Sequence, residues 1–195
     1  MTYSIIGSGN VGTALARQFA RSGIPVAIAN SRGPDSIAAL AQELGATVSA
    51  QSLEDAVRAD VVILAVPFRA HTKVAAASPD WSGRIVIDAM NTYGVEPGEL
   101  KGLPSTEVVA AAFPGAKLVK TLNQLPAKLL AKDPAEHGGR RVMFLAGDDE
   151  AARASVAALI GDLGFAPLSL GTVRDGGVLL ERGAPLVLQN LVKLA

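Results

Sequence analysis

The chain has 195 residues, 49% of them hydrophobic but only 4% aromatic, with 18 basic and 18 acidic side chains. A net charge of zero offers no basic field to nucleic acid or an anionic membrane. Cysteine is absent, which excludes disulfides and thiol catalysis, and with His71 and His137 the only imidazoles no metal site is expected.

Met1 to Gly7 lacks the charged start and long apolar core of a signal peptide. No apolar run approaches the roughly 20 residues of a membrane span. The expectation is a cytoplasmic protein of a single domain over residues 1–195. Residues 1–122 would form a dinucleotide-binding core, and 123–195 a short α/β extension that completes the sheet and the active site.

Short apolar runs alternate with helical stretches from the first residues onward. In chain order the pattern predicts a strand at Tyr3–Ile6, a helix at Val11–Ser22, a strand at Val26–Ala29, a helix at Ser36–Leu44 and a short strand at Ala46–Ser49. A helix at Leu53–Arg58 follows, then strands at Val61–Val66 and Arg84–Asp88, a helix at Thr106–Ala112 and a strand at Leu118–Thr121. Beyond these come a strand at Val142–Ala146, a helix at Glu150–Leu163 and a strand at Phe165–Ser169. Such alternation predicts a Rossmann-type α/β fold, a doubly wound and mainly parallel sheet. The longest irregular stretch, Tyr93 to Ser105, reads as a functional or mobile loop. The apolar tail from Pro185 to Ala195 reads as a helix that either packs on its own domain or joins two subunits, the favoured form being a homodimer in which it helps cover the active site.

Gly7-Ser8-Gly9-Asn10-Val11-Gly12 fits the G-x-G-x-x-G pattern. It follows the first predicted strand and opens the first predicted helix, the context that a dinucleotide site requires. Gly7 permits the tight turn, Gly9 lets the backbone approach a pyrophosphate, and Gly12 allows close helix–strand packing. The helix start then offers free N–H groups to the phosphates. The second strand runs into Asn30-Ser31-Arg32-Gly33, with no carboxylate at its tip. A carboxylate there would hold the 2′-hydroxyl of NAD and repel a 2′-phosphate, whereas a guanidinium grips a phosphate. Arg32, helped by Ser31 and Ser8, therefore points to NADP.

With both motifs in place, the chain resembles the NADP-dependent oxidoreductases of coenzyme F420, an 8-hydroxy-5-deazaflavin, and their bacterial relatives. The resemblance rests on the glycine loop, Asn30 to Gly33, Leu64-Ala65-Val66-Pro67-Phe68, Val119-Lys120-Thr121-Leu122-Asn123, Ala146-Gly147-Asp148-Asp149, Leu163-Gly164-Phe165 and Leu170-Gly171. The arrangement is also similar to the NADPH-binding domain of membrane metalloreductases. The resemblance implies 2′-phosphate contacts from Ser8, Ser31 and Arg32. It also implies a nicotinamide end beside the Ala65-Val66-Pro67 turn and the Asn123-Gln124-Leu125-Pro126 loop. Archaeal deazaflavin reductases tend to carry His where this chain has Asn123, and some members carry Lys where it has Ser36.

Hydride transfer between two ring cofactors asks the protein for alignment and dryness rather than a catalytic triad. The site belongs beyond the carboxyl ends of the strands, with Val66, Pro67, Met90, Asn91, Asn123 and Leu125 as its walls. Pro67 and Leu125 offer apolar faces. Asn91 and Asn123 can hold the nicotinamide amide or the acceptor's polar edge. His71 is the one candidate general acid. His137 reads as an exposed loop residue, and Asp148-Asp149-Glu150 as a helix start rather than a metal site. The expected function is hydride transfer between NADP(H) and a deazaflavin or flavin-like acceptor. The alternatives are an NADP-dependent reductase of a small carbonyl or imine, and a non-catalytic NADPH sensor.

Overall fold

The protein, seen in a computed structural model that describes residues 1–194, is built on one mixed sheet. Its first half runs β1 (Tyr3–Ile6), α1 (Asn10–Arg21), β2 (Val26–Ala29), α2 (Ala38–Leu44), β3 (Val48–Ala50), α3 (Leu53–Ala56), β4 (Val61–Leu64), α4 (His71–Ala75) and β5 (Ile85–Asp88). Its second half runs α5 (Ser105–Ala112), β6 (Lys117–Thr121), α6 (Ala127–Leu130), β7 (Ala135–Glu136), β8 (Gly139–Gly147), α7 (Glu150–Asp162), β9 (Ala166–Ser169) and β10 (Val192–Leu194).

Six parallel strands stand in the order β3-β2-β1-β4-β5-β6. The chain winds outward from β1 to β3, returns to the centre, and winds the other way from β4. That reversal leaves a crevice between the carboxyl ends of β1 and β4, where open α/β sheets bind ligands. Both faces of these strands are covered, which is why they read as unbroken apolar runs. Ile5, Ile28, Ile63 and Ile87 pack on one side against Leu15 and Phe19 of α1 and Val156 and Leu159 of α7. Ile6, Val62, Leu64 and Val86 pack on the other against Val74, Trp81, Val109 and Phe113.

β8 joins β6 antiparallel, with Lys120 opposite Ala146. Its carboxyl half lies between β6 and the parallel β9, and its amino half pairs with both β7 and β10. His137 and Gly138, with φ of 50° and 77°, form the two-residue turn of the β7–β8 hairpin, the left-handed geometry that such turns require. His137 is exposed there, as its surroundings in the sequence suggest.

The carboxyl-terminal tail is a correction to the sequence reading. It is not a helix; it ends in the strand β10, antiparallel to β8. Leu188 takes a left-handed φ of 68° and donates its N–H to the Gln124 carbonyl at 2.7 Å, and a left-handed residue cannot continue an α-helix. Val142 N–H donates to Leu191 O at 2.8 Å, and the buried Arg141 donates to Asn190 Oδ1 at 3.1 Å. The unpaired amino half of β8 thus draws the tail into the sheet. Leu188, Leu191 and Leu194 of this tail are exposed. Ala195, the last residue of that expected helix, lies outside the described residues.

Two short helices, α4 and α6, carry no sequence signal of their own. At five and four residues they are too short to show a helical period. No described helix is long and apolar enough to cross a membrane.

Candidate functional site

The glycine loop divides its three glycines by role, as their spacing implies. Gly7 has φ of 117°, and a Cβ on it would stand 2.2 Å from the Ala65 carbonyl oxygen at the end of β4. A Cβ on Gly12 would stand 1.8 Å from the Gly7 oxygen. Both glycines are therefore required by close packing within the protein. Gly9 differs, because a Cβ there meets no atom within 4 Å. The space it leaves faces outward, where a ligand can approach the backbone. Gly9 is also the N-cap of α1, and no side chain caps the helix. The N–H groups of Asn10, Val11 and Gly12 are left without intrahelical acceptors, a ready anion site. This helix start and Pro126, Ala127 and Lys128 of the α6 region border a cleft of about 500 Å³. Gln18 fixes that second wall, donating to the carbonyls of Leu130 and Lys132 at the end of α6.

At the tip of β2 the Asn30 amide organises a polar cluster. Its Nδ2 donates to Ser8 Oγ and to Ser36 Oγ, each at 2.9 Å, while its Oδ1 accepts from Arg32 N–H at 2.8 Å. Ser36 Oγ also donates to the Gly33 carbonyl at 2.8 Å. The glycine loop and the turn after β2 are thereby locked together. The Arg32 and Ser31 side chains stand exposed beside the cluster, and Arg32 joins no ion pair among the described residues. A free guanidinium beside two hydroxyls, with no carboxylate in the cluster, is a donor set for a phosphate dianion.

Beyond the strand ends lies a second polar centre, deeply buried. Asp88 ends β5, and Lys120 stands opposite it in β6. Lys120 Nζ is 3.1 Å from Asp88 Oδ2, and the two side chains are 1% and 0% exposed. Lys120 also donates to the Met90 carbonyl at 2.6 Å, and Asp88 Oδ1 accepts from Met90 N–H at 2.9 Å. The pair therefore clamps the turn that carries Asn91. Asn91 Nδ2 donates to the Asn123 carbonyl at 2.9 Å, and Asn123 Nδ2 donates to Asn91 Oδ1 at 3.0 Å and Leu180 O at 2.7 Å. Leu122 has a left-handed φ of 63°, which costs a residue with a Cβ about 1–2 kcal/mol. Asn123 Oδ1 is buried without a partner, one of two such side-chain atoms among the described residues with Ser4 Oγ. An unmatched buried acceptor costs about 1–3 kcal/mol.

Of the walls expected for the ring end, Met90, Asn91 and Asn123 meet in this network. Leu125 is buried beside them in the chain, and Ala65 and Val66 are half-buried next to the exposed Pro67. His71 opens α4 and is buried. Its Nδ1 lies against the Phe68 carbonyl, and its ring packs on Phe68 at 4.9 Å. Local packing accounts for its place. Asp149 caps α7, and Asp148 anchors a distant loop. Asp149 accepts from Ala152 N–H at 2.8 Å and pairs with Lys117 at 3.1 Å, while Asp148 accepts from Val173 N–H at 2.9 Å. The loop after Asn91 is tied down at Glu99, which accepts from Arg69 at 2.6 and 3.0 Å and from Glu96 N–H at 2.9 Å. Those donors, Arg69 first, hold the Glu99 carboxyl at about 2, below its usual 4.5. The charged tether is thus complete above pH 4.5 and lost only as the pH falls through about 2.

Sequence reasoning missed Asp88 and Lys120, and met Ser36 only as a position where some relatives carry Lys. Asp88 and Lys120 carry a legible signal, a charge near the carboxyl end of each of two neighbouring apolar strands. Larger recesses of about 610 and 840 Å³ lie at the amino ends of β1 and β2 and beside β7 and β10. Neither includes a glycine loop or a free helix start.

Residues 2–92 match the profile of the family described as NADP oxidoreductase, coenzyme F420-dependent. The whole chain is similar to a hypothetical protein of Sinorhizobium meliloti, at 47% identity and a TM-score of 0.94, over 99% of this chain and 96% of that one. It is similar to a protein of Arthrobacter provisionally named an F420-dependent NADP-reductase, at 27% identity and a TM-score of 0.75, over 92% and 90% of the two chains. It is also 32% identical over 171 residues to Metalloreductase STEAP3 of Rattus norvegicus. That match takes in 87% of this chain and 33% of the relative, so the chain spans a third of the length of that larger protein.

Proposed function

We propose that the chain is a member of the coenzyme F420-dependent NADP oxidoreductases, whose profile its residues 2–92 match, and that it transfers a hydride between NADP(H) and a deazaflavin such as coenzyme F420, or a flavin-like ring. The observation that carries the cofactor reading is the cluster of Ser8, Asn30 and Ser36 with the free Arg32 beside it. Arg32, Ser31 and Ser8 bind the 2′-phosphate. The N–H groups at the start of α1 bind the pyrophosphate, with Gly9 leaving room for it. The Ala65-Val66-Pro67 turn and Leu125 give the ring end apolar walls that exclude water, while Asn91 and Asn123 supply polar groups at its edge.

When bound, NADPH supplies a hydride to the acceptor ring, which takes its balancing proton from water. The protein's part is to align two flat rings and keep the space between them dry, which requires no acid–base residue. His71 is assigned no step.

Calorimetric titration with NADPH and NADH tests this reading. The expected result is NADPH bound at least about tenfold more tightly, the effect of one well-placed charge-assisted contact. Equal affinities, or no binding of either nucleotide, would overturn it.

A further inference from the structure

Three locally unfavourable features converge where β5 and β6 end. They are a fully buried ion pair, Asp88–Lys120, a left-handed Leu122, and a buried Asn123 Oδ1 with no partner. Stability does not account for them. A buried pair of this kind can generally be replaced by apolar side chains without loss, and the flanking strand residues Ile87 and Val119 are apolar. Strain and buried charge persist where function requires them.

We propose that Asp88 and Lys120 are positioning residues for the ring end of the site, an assignment that rests on the dinucleotide reading above. They act through the backbone of Met90, which is held from both sides. Asp88 accepts its N–H at 2.9 Å, and Lys120 donates to its carbonyl at 2.6 Å. The next residue is Asn91, whose side chain exchanges hydrogen bonds with Asn123. Asn123 in turn reaches the Leu180 carbonyl, so the grip extends to the carboxyl-terminal segment. The pair thereby fixes two amide side chains contributed by neighbouring loops. It has no such connection to the Ser8–Asn30–Ser36 cluster, which is built on β1 and β2. The pair therefore sets how the nicotinamide is held and leaves the adenosine 2′-phosphate untouched.

The test compares NADPH with 2′,5′-ADP, the fragment that lacks the nicotinamide. Asp88→Asn combined with Lys120→Met removes both charges together and avoids a lone buried charge. The double variant is expected to bind 2′,5′-ADP within about twofold of the parent and NADPH at least about tenfold more weakly. The change in nicotinamide fluorescence that accompanies binding should diminish with it. Asp88→Leu combined with Lys120→Leu, an apolar replacement that removes the same two contacts to Met90, should show the same selective loss, and it decides the matter should the first double variant fail to fold. A merely structural pair would change the two affinities in parallel, or change melting temperature alone, and either result overturns the proposal. If the parent fails to bind 2′,5′-ADP, the dinucleotide reading falls and this inference with it. If the parent binds both ligands and the variants lose both equally, only the inference falls.

Discussion

Replacing Arg32 with alanine is expected to weaken NADPH binding by roughly 10–100-fold and to leave NADH binding within about twofold. The magnitude follows from the interaction lost: charge-assisted hydrogen bonds contribute about 1.5–3 kcal/mol, and each 1.4 kcal/mol is tenfold in affinity. The selectivity follows from geometry. Arg32 is exposed and joins no ion pair among the described residues, so its removal should not disturb the fold. Its backbone N–H, which donates to Asn30 Oδ1 at 2.8 Å, survives the substitution, and the Ser8–Asn30–Ser36 cluster with it. The loss should shrink as ionic strength rises, because a solvent-exposed charge contact is screened. Calorimetry at two salt concentrations reads both effects. A variant that binds NADPH like the parent would remove Arg32 from the site.

The glycine loop yields a pair of opposite outcomes. Gly9→Val is expected to leave the melting temperature nearly unchanged and to lower NADPH affinity by on the order of a hundredfold. Its Cβ enters open space, and its extended φ of −77° and ψ of −167° suit any residue. The added methyl groups would occupy the approach to the helix N–H groups, the contacts that a pyrophosphate needs. Gly12→Ala should do the reverse, damaging the protein before any ligand is added. A Cβ 1.8 Å from the Gly7 oxygen can be accommodated only by moving α1 away from the loop. Overpacking against backbone costs typically about 1–3 kcal/mol or more, a fall of roughly 2–12 °C in a chain of this size. Melting curves and NADPH titrations of the two variants check both halves. If Gly9→Val bound NADPH normally, the phosphate site would have to lie elsewhere.

The parallel half of the fold was legible because its determinants are local. A four-residue run such as Val61–Leu64, buried on both faces, announces itself by composition, and the glycine pattern marks the first strand–helix junction without reference to the rest of the chain. The tail misled for the opposite reason. Its leucines suggested a helix, but its conformation is set by β8, which lies about fifty residues earlier, and by the Gln124 carbonyl that captures Leu188. No window of sequence contains both partners.

The candidate site divides along the same line. Ser8, Asn30, Ser31 and Arg32 could be assigned from their offsets to the glycines. The Asn91–Asn123 contact could be anticipated only as two amides near strand ends, and the part played by Asp88 and Lys120 emerges once β5 and β6 stand side by side in register. Leu122 gives no warning at all, since nothing in leucine predicts a positive φ.

The central claim is that this site transfers a hydride from NADPH to a deazaflavin or flavin-like ring. The most direct measurement uses NADPH doubly deuterated at C4 of the nicotinamide, with 8-hydroxy-5-deazaflavin as the acceptor and mass spectrometry of the reduced product. Deuterium delivered to C5 of the deazaflavin does not exchange with water, so direct transfer leaves a permanent mark. One deuterium is expected in each molecule of reduced acceptor, with far slower transfer from NADH labelled in the same way. NADPH that binds but reduces neither the deazaflavin nor a flavin would contradict it and identify the protein as a nucleotide-binding module without this activity.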